Sequence, residues 1–235
     1  MATAALVLAA GRGNRLRSEI PKAFVRLAGR SLLAHALEAL AGSPEIDLVV
    51  PVVAASEFGR FATHAGEWQG IPKLAAPVAG GLERQDSVRA GLASLGPEIR
   101  LVAVHDAARP LVRREDVSRV VAAARLHGAA FLAVPATETV KRVRAGRVVE
   151  TPPRAECWVA QTPQVFQVEI LREALAKAEQ EGVRGTDDTQ LVERLGVAVH
   201  VVEGDPTNLK VTRSEDLLLA EALLCLLYTS PSPRD

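Results

Sequence analysis

The stretch Leu6-Val-Leu-Ala-Ala-Gly-Arg-Gly-Asn-Arg-Leu16, followed by Pro21-Lys22, decides the fold of this 235-residue chain. An apolar run enters a turn of small residues, and the backbone N–H groups of such a turn can surround a phosphate. The turn lacks the third glycine of the dinucleotide-binding fingerprint and the G-K-[ST] ending of the Walker loop. Its basic residues are instead Arg12, Arg15 and Lys22. The stretch predicts a phosphate-binding loop, or otherwise a glycine turn that only caps a strand.

Outward from this loop, short apolar runs alternate with helical patterns. The run Leu48-Val-Val-Pro-Val-Val53 is apolar at every position, as expected for a strand that helices cover on both faces. The alternation predicts an α/β fold with a mostly parallel, twisted sheet flanked by helices. We predict strands at residues 5–9, 48–54, 73–78, 101–105, 131–134 and 198–202, and helices at 30–41, 56–65, 85–94, 114–127, 168–180 and 214–224.

The alternation is interrupted after residue 135. The pattern T-V-K-R-V-R-A-G-R-V-V at residues 139–149 turns at Ala145-Gly146, which predicts a β-hairpin. Its basic residues suit a protruding arm, about residues 135–160, better than a core strand. We expect residues 1–224 to form a single domain that includes this arm, and residues 225–235 to be a disordered tail of native or non-native origin.

Composition excludes several classes of protein. The chain is 48% hydrophobic and 24% charged, with 28 basic and 28 acidic residues and a formal net charge of zero. No basic excess indicates a nucleic-acid or membrane partner. The two cysteines exclude a disulfide scaffold and a four-cysteine zinc site. No apolar run reaches the roughly 18 residues of a membrane span, and no basic segment precedes the first apolar run, so we expect a cytoplasmic protein.

Two further motifs supply polar groups. Asp106 in the segment His105-Asp-Ala-Ala-Arg-Pro110 follows a predicted strand, where open α/β sheets bind ligands. Its carboxylate can hold a Mg²⁺ ion that arrives with a triphosphate, or it can cap a helix and pair with Arg109. In the segment Gly80-Gly-Leu-Glu-Arg-Gln-Asp-Ser87, the glycines allow close approach of a ring or sugar, and Ser87 either contacts a ligand or caps the next helix.

In their order and spacing, these motifs resemble the 2-C-methyl-D-erythritol 4-phosphate cytidylyltransferases of the non-mevalonate isoprenoid pathway. The resemblance extends from about residue 5 to residue 224. It rests on L-A-A-G-R-G-N-R-L at 8–16, P-K at 21–22, G-G-L-E-R-Q-D-S-V at 80–88, H-D-A-A-R-P at 105–110, T-P-Q at 162–164, G-T-D-D at 185–188 and N-L-K-V-T at 208–212.

The resemblance implies a Rossmann-like fold of the nucleotide-diphospho-sugar transferase type and a homodimer built through the β-arm. It also implies transfer of CMP from CTP to 2-C-methyl-D-erythritol 4-phosphate, with Mg²⁺ as the cofactor. The implied catalytic residues are Arg15, Lys22, Arg154 and Lys210. The implied nucleotide-binding residues are Ala9, Ala10, Gly11, Arg12, Gly13, Gly81, Ser87, Asp106 and Arg109, with Asp106 also serving the metal. The implied sugar-phosphate-binding residues are Thr139, Arg154, Thr162 and Lys210, with Arg154 supplied by the partner subunit.

Of two alternatives, the first stays open at this point and the second is disfavoured by the residues present. A cytidylyltransferase for another polyol phosphate, such as ribitol 5-phosphate, would share the CTP-binding motifs. A nucleotide-binding regulator without catalytic activity would lack one of the basic residues Arg15, Lys22 or Lys210, and the sequence retains all three.

Overall fold

The apolar segment that precedes the glycine loop forms an inner strand of a seven-stranded sheet. The computed structural model describes residues 1–11 and 20–229. The strands are β1 (Ala2–Leu8), β2 (Arg26–Leu27), β3 (Arg30–Ser31), β4 (Leu48–Ala54), β5 (Val78–Gly80), β6 (Ile99–Asp106), β7 (Ala129–Pro135), β8 (Arg142–Arg144), β9 (Arg147–Glu150), β10 (Trp158–Gln167) and β11 (His200–Glu203). The helices are α1 (Leu32–Ala41), α2 (Phe58–Thr63), α3 (Ala65–Trp68), α4 (Arg84–Ala93), α5 (Arg114–His127), α6 (Val168–Gln180), α7 (Asp188–Glu193) and α8 (Ser214–Thr229).

The central strand β1 is buried on both faces. Ala5 and Val7 contribute to the core under α1 and α5, whereas Ala4 and Leu6 contribute to the core under α4 and α6. Adjacent strands pair in parallel with β1, and the sheet order is β11-β7-β10-β6-β1-β4-β5. The predicted α/β architecture, with a mostly parallel sheet between two helical layers, is confirmed.

Strand β10 was not predicted, and it is the antiparallel member of the sheet. It lies between β6 and β7 and pairs antiparallel with both. Its sequence, W-V-A-Q-T-P-Q-V-F-Q, interrupts an apolar pattern with Gln161, Thr162 and Gln164. These side chains are buried, and their hydrogen bonds, described below, hold the loops of the site.

Several element boundaries differ from the predictions. The strand expected at 73–78 is β5 at Val78–Gly80, and residue 74 only bridges to Val49. The predicted helix 56–65 is divided between a short 3₁₀ turn, α2 and α3. Helix α7 was not predicted, and α8 continues past its expected end to Thr229. None of the helices described is both long and apolar enough to cross a membrane.

The predicted hairpin is confirmed. Strands β8 and β9 pair only with each other in the described part of the chain. Their turn contains Ala145 and Gly146 at φ angles of 47° and 76°, the left-handed conformation of a tight hairpin turn. Every residue of both strands is exposed, including Val143 at 54% and Val148 at 60%. The hairpin therefore has no core of its own.

The parallel register fixes where the loops meet. Leu8 at the end of β1 lies opposite Asp106 at the end of β6, and Gly80 ends β5 beside Ala54 of β4. Parallel strands end at one edge, so the glycine loop, the Asp106 loop and the start of α4 converge there.

Helix α4 sits close to the sheet because residue 91 is glycine. A Cβ at this position would lie 2.8 Å from a methyl group of Leu6 and 3.2 Å from one of Val52, and both side chains are fully buried. We expect Gly91→Ala to be less stable than Gly59→Ala by about 1–3 kcal/mol, the usual cost of overpacking a core.

Gly59→Ala is the matched control, since Gly59 is also helical but has no atom within 4 Å of an added Cβ. Chemical denaturation of both variants measures the difference. Equal free energies of unfolding would contradict close packing at Gly91.

Candidate active site

A cavity of about 240 Å³ opens at the carboxyl edge of the sheet, over the ends of β1 and β6. A wider cleft of about 880 Å³ continues from it along the glycine loops. The cavity brings together residues that are distant in sequence. The predicted site residues that line it are Ala9, Ala10, Gly11, Lys22, Gly81, Ser87, Asp106 and Lys210.

The glycines before α4 form one wall of the cavity. A Cβ on Gly80 would lie 2.6 Å from the Cβ of Ala10, so glycine lets this turn approach the loop after β1. The Gly81 N–H donates to the Ser87 hydroxyl (3.2 Å), which donates to the Glu83 carbonyl (3.2 Å). Ser87 therefore shapes the turn, and its predicted contact with a nucleotide stays a prediction.

Asp106 is the central acidic group of the cavity. Its carboxylate accepts hydrogen bonds from Arg84 Nε (3.3 Å) and from Lys210 Nζ (2.6 Å). Burial by itself raises the pKa of Asp106, but Arg84 and Lys210 outweigh that effect and hold the pKa well below its ordinary value. Asp106 is consequently an anion across the physiological pH range.

Arg109 and Asn208 fix the loop that carries Lys210. Arg109 donates to the carbonyl of Asn208 (2.7 Å) and to that of Ala160 on β10 (3.1 Å). The fully buried Asn208 amide donates to Gln161 (3.1 Å) and to the Thr162 carbonyl (3.0 Å). These bonds hold Lys210 beside Asp106, and the predicted contact of Arg109 with a nucleotide stays a prediction.

His105 and Thr162 form a buried chain of hydrogen bonds behind Asp106. The Asp106 N–H donates to the Thr162 hydroxyl (3.1 Å), and the same hydroxyl is hydrogen-bonded to His105 Nδ1 (3.0 Å). His105 Nε2 then donates to the Arg109 carbonyl (3.1 Å). In the neutral imidazole, Nε2 carries the proton for this carbonyl and Nδ1 accepts the proton of the Thr162 hydroxyl. Burial lowers the pKa of His105 to about 4, which keeps the ring neutral.

A second cavity, of about 210 Å³, lies on the other side of Asp106. Its walls come from β10 and from the loop before α7, including Thr162 and Thr186. The charged groups shared by both cavities are Arg84, Asp106 and Lys210. The arrangement offers two neighbouring compartments that meet at one cluster of charges.

Some predicted residues are not in these compartments. Thr139 and Arg154 are exposed on the arm, outside the residues that line either cavity, and Arg154 donates to the Thr137 carbonyl (3.4 Å). Arg12, Gly13 and Arg15 lie outside the described residues. No group of three or more His, Cys, Asp or Glu side chains within residues 1–11 and 20–229 is arranged to hold a metal ion.

Arg84, Gln164 and Asp188 belong to the site, although their positions in the sequence indicated no individual role for them. The Gln164 carbonyl oxygen accepts the N–H groups of Asp188 (3.0 Å) and Thr189 (3.3 Å), which ties the start of α7 to β10. Both motifs, T-P-Q and G-T-D-D, were recognised, but nothing in the sequence indicated that they contact each other. The available signal was that both motifs place polar residues in a segment that also contains buried apolar residues.

Comparison with known proteins gives a consistent result. Residues 3–225 match the family model of 2-C-methyl-D-erythritol 4-phosphate cytidylyltransferase. A protein of that name from Pelotomaculum thermopropionicum is 46% identical over 222 residues, covering 94% of this chain and 93% of the relative. Another, from Geotalea uraniireducens, is 44% identical, covering 95% and 97% of the two chains.

Solved structures agree with these sequence relatives. The 4-diphosphocytidyl-2C-methyl-D-erythritol synthase of Anaerococcus prevotii superposes with a TM-score of 0.84 at 29% identity, covering 95% of this chain and 96% of that one. The 2-C-methyl-D-erythritol 4-phosphate cytidylyltransferase of Thermus thermophilus superposes with a TM-score of 0.75 at 36% identity, covering 95% and 98%.

The buried neutral His105 predicts a loss of stability in mild acid. Below pH 6.5 the unfolded chain binds a proton on this histidine, whereas the folded chain does so only near pH 4. Stability due to His105 is therefore lost as the pH falls through this interval, by about 3 kcal/mol in total. Urea unfolding at a series of pH values, in buffer with a metal chelator, measures the slope.

His105→Gln is the matched variant, since it cannot ionise but retains an N–H donor for the Arg109 carbonyl. We expect it to be less stable at pH 7 and to lose less stability between pH 6.5 and 4. Parallel curves for the two proteins would contradict the prediction.

Proposed function

The chain belongs to the 2-C-methyl-D-erythritol 4-phosphate cytidylyltransferase family, and we propose how its residues divide the work of that reaction. The enzyme transfers CMP from CTP to 2-C-methyl-D-erythritol 4-phosphate, giving 4-diphosphocytidyl-2-C-methyl-D-erythritol and pyrophosphate, in isoprenoid precursor biosynthesis. The other polyol phosphates considered from the sequence are not favoured by these relatives.

The observation that carries the proposal is the pair of cavities joined at Asp106 and Lys210. CTP occupies the cavity beneath the glycine loop, with its phosphates toward Ala9, Ala10, Gly11 and Lys22. The sugar phosphate occupies the cavity beside Thr162. In this arrangement, Lys210 lies between the α-phosphate of one substrate and the phosphate of the other.

The reaction needs positive charge more than it needs a base. An oxygen of the sugar phosphate forms the new bond to the α-phosphorus, and the bond to the leaving pyrophosphate breaks. That oxygen is already largely anionic, since the second pKa of a phosphate monoester is about 6. Catalysis therefore consists of bringing anions together and stabilising charge in the transition state. The neutral, buried His105 is consistent with a site that has no general base.

In this proposal, Lys22 and Lys210 each supply a positive charge. Arg15, which lies outside the described residues, supplies a third. Mg²⁺ fits the site through Asp106, because this ion is usually held by one or two carboxylates together with substrate phosphates. When bound, Mg²⁺ neutralises phosphate charge. Asp106 would be the residue that holds the ion, and Lys210, which donates to Asp106 in this structure, would then direct its charge to phosphate.

The exposed arm supports a homodimer. Strands β8 and β9 carry exposed Val143, Val148 and Val149, and a two-stranded hairpin is marginal in water without a partner. A twofold pairing of arms buries these valines reciprocally. It also brings Thr139 and Arg154, which lie outside the cavities of their own chain, toward the partner's sugar phosphate. A cytoplasmic location, inferred from the sequence, remains part of this proposal.

Pyrophosphate release from CTP in the presence of 2-C-methyl-D-erythritol 4-phosphate tests the activity, with ATP, GTP and UTP as comparison nucleotides. We expect CTP to be strongly preferred. Lys22→Ala is expected to lower kcat by about 10²–10³-fold, the usual effect of removing one group that stabilises transition-state charge. Its thermal unfolding should remain close to that of the unmodified enzyme.

Lys177→Ala is the control, since Lys177 donates to the carbonyl of Arg194 between α6 and the end of α7, away from both cavities. Its kcat should be unchanged. Equal turnover with a purine triphosphate would overturn the activity, and a Lys22→Ala variant that kept more than about a third of kcat would overturn the role of Lys22.

A mixed dimer tests the shared site. Lys22→Ala and Arg154→Ala chains are unfolded and refolded together, so that about half of the dimers are hetero by random association. In each heterodimer one site has both defects and the other has neither. We expect activity to recover to roughly a quarter of that of the unmodified enzyme, from the twofold symmetry.

The control mixture combines Lys22→Ala with Lys210→Ala, two residues that line one cavity of the same chain. No site is restored in that heterodimer, so activity should stay low. The same low activity for the Arg154→Ala mixture, with heterodimers verified by mass spectrometry, would exclude a site shared between subunits.

A further inference from the structure

Arg84 divides its guanidinium between two buried carboxylates. It is the first residue of α4, and its Nη1 donates to Asp188 (2.7 Å) while its Nε donates to Asp106 (3.3 Å). The two acidic residues come from the end of β6 and the start of α7. The Asp188 side chain is only 1% exposed. One arginine thus connects both walls of the site.

Asp188 is held firmly in this position. Its backbone N–H donates to Gln164 on β10, and the neighbouring Asp187 accepts a hydrogen bond from the Gln164 amide (2.9 Å) and caps the helix by accepting from the Gln190 N–H (3.0 Å). Burial raises the pKa of Asp188, because the ionised carboxylate loses its hydration there, while Arg84 acts in the opposite direction. Buried ion pairs contribute little net stability compared with apolar packing. This pair therefore suggests a role other than stabilising the fold.

The ion pairs form a chain of alternating charge. Starting from the interior, it consists of Asp188, Arg84, Asp106 and Lys210. Both substrates are anionic. This chain of charges ends at Lys210, which the proposed function places beside their phosphates. If Arg84 were not held by Asp188, its charge would be free to turn toward the phosphates or to neutralise Asp106 fully.

We propose that Arg84 is a positioning residue for the transfer reaction, anchored by Asp188 so that Asp106 keeps its place when Lys210 turns to phosphate. This inference rests on the proposed function of the site. Arg84 compensates one oxygen of Asp106 throughout the reaction. The other oxygen can then release Lys210 without becoming an unpaired buried charge.

The geometry favours an arginine over a lysine at position 84. A guanidinium presents several N–H donors in a rigid fork, whereas an ammonium is a single point of charge. Arg84 uses different nitrogens for Asp106 and Asp188. A lysine in its place keeps the charge but does not bridge both carboxylates.

Three variants test the inference: Arg84→Lys, Asp188→Asn and the double variant Arg84→Gln/Asp188→Asn. For each, the melting temperature is measured together with kcat and the KM values for CTP and 2-C-methyl-D-erythritol 4-phosphate. We expect kcat to fall by up to about 10²-fold in all three, because misplacing a reacting group by about 1 Å has an effect of that size. The KM for CTP should change by less than about threefold, since the binding loops are intact.

The double variant separates positioning from folding. It removes both charges, so no unpaired charge remains between α4 and α7, and its melting temperature should be close to that of the unmodified enzyme. A single Arg84→Gln change, made only for this melting comparison, leaves Asp188 unpaired and should lower the melting temperature by roughly 6–20 °C. If Arg84 only stabilised the fold, the double variant would recover kcat along with its melting temperature.

Arg125→Lys is the control, since Arg125 pairs with Glu45 (2.9 Å) away from both cavities. It should retain full kcat. A double variant with unaltered melting temperature and kcat within about twofold of the unmodified enzyme would overturn the inference. If the unmodified enzyme itself released no pyrophosphate from CTP, the proposed function would fail instead, and the two failures are therefore distinguishable.

Discussion

The rest of the site depends on the hydrogen bonds that the Asp106 carboxylate accepts. A site for two anionic substrates must concentrate cations, but cations fixed close together repel one another before the substrates bind. Asp106 removes this difficulty by accepting hydrogen bonds from both Arg84 and Lys210. Because it ends β6 beside the end of β1, the parallel register of the central strands brings it under the glycine loop. The position of the charge is thus a direct consequence of the fold.

The antiparallel strand β10 connects this charge to the rest of the chain. Its polar side chains do not face solvent but bind three different loops in the interior. Thr162 accepts the Asp106 N–H, Gln161 binds the loop that carries Lys210, and Gln164 binds the start of α7. Buried amides and hydroxyls have an unfavourable free energy unless their hydrogen bonds are satisfied. Strand β10 therefore holds these loops in place, and it can do so because its buried side chains are polar.

Much of the fold was predictable from the sequence because parallel strands are covered on both faces. The runs at β1 and β4 are apolar at almost every position, and the intervening helices have clear periodicity. Strand β10 was not predictable in this way, since the polar residues that fix the loops interrupt its apolar pattern. Motif positions were recognisable, but contacts such as that between Arg84 and Asp188, which are 104 residues apart, depend on how α4 and α7 pack. Local patterns contain no information on such contacts.

The basic residues of the site divide into those that hold the structure in place and those that act on the substrates. The chain has 28 basic residues, of which only 5 are lysine. In the described part of the site, Arg84 and Arg109 each donate hydrogen bonds to two groups from separate elements. Each arginine therefore links two parts of the structure. Among the described residues, the Lys210 side chain has one hydrogen-bond partner, Asp106, and it is 39% exposed. A rigid fork with several donors holds elements together, whereas a single ammonium on a flexible chain can exchange a carboxylate for a phosphate. The residue type at each position therefore agrees with the motion that the reaction requires of it.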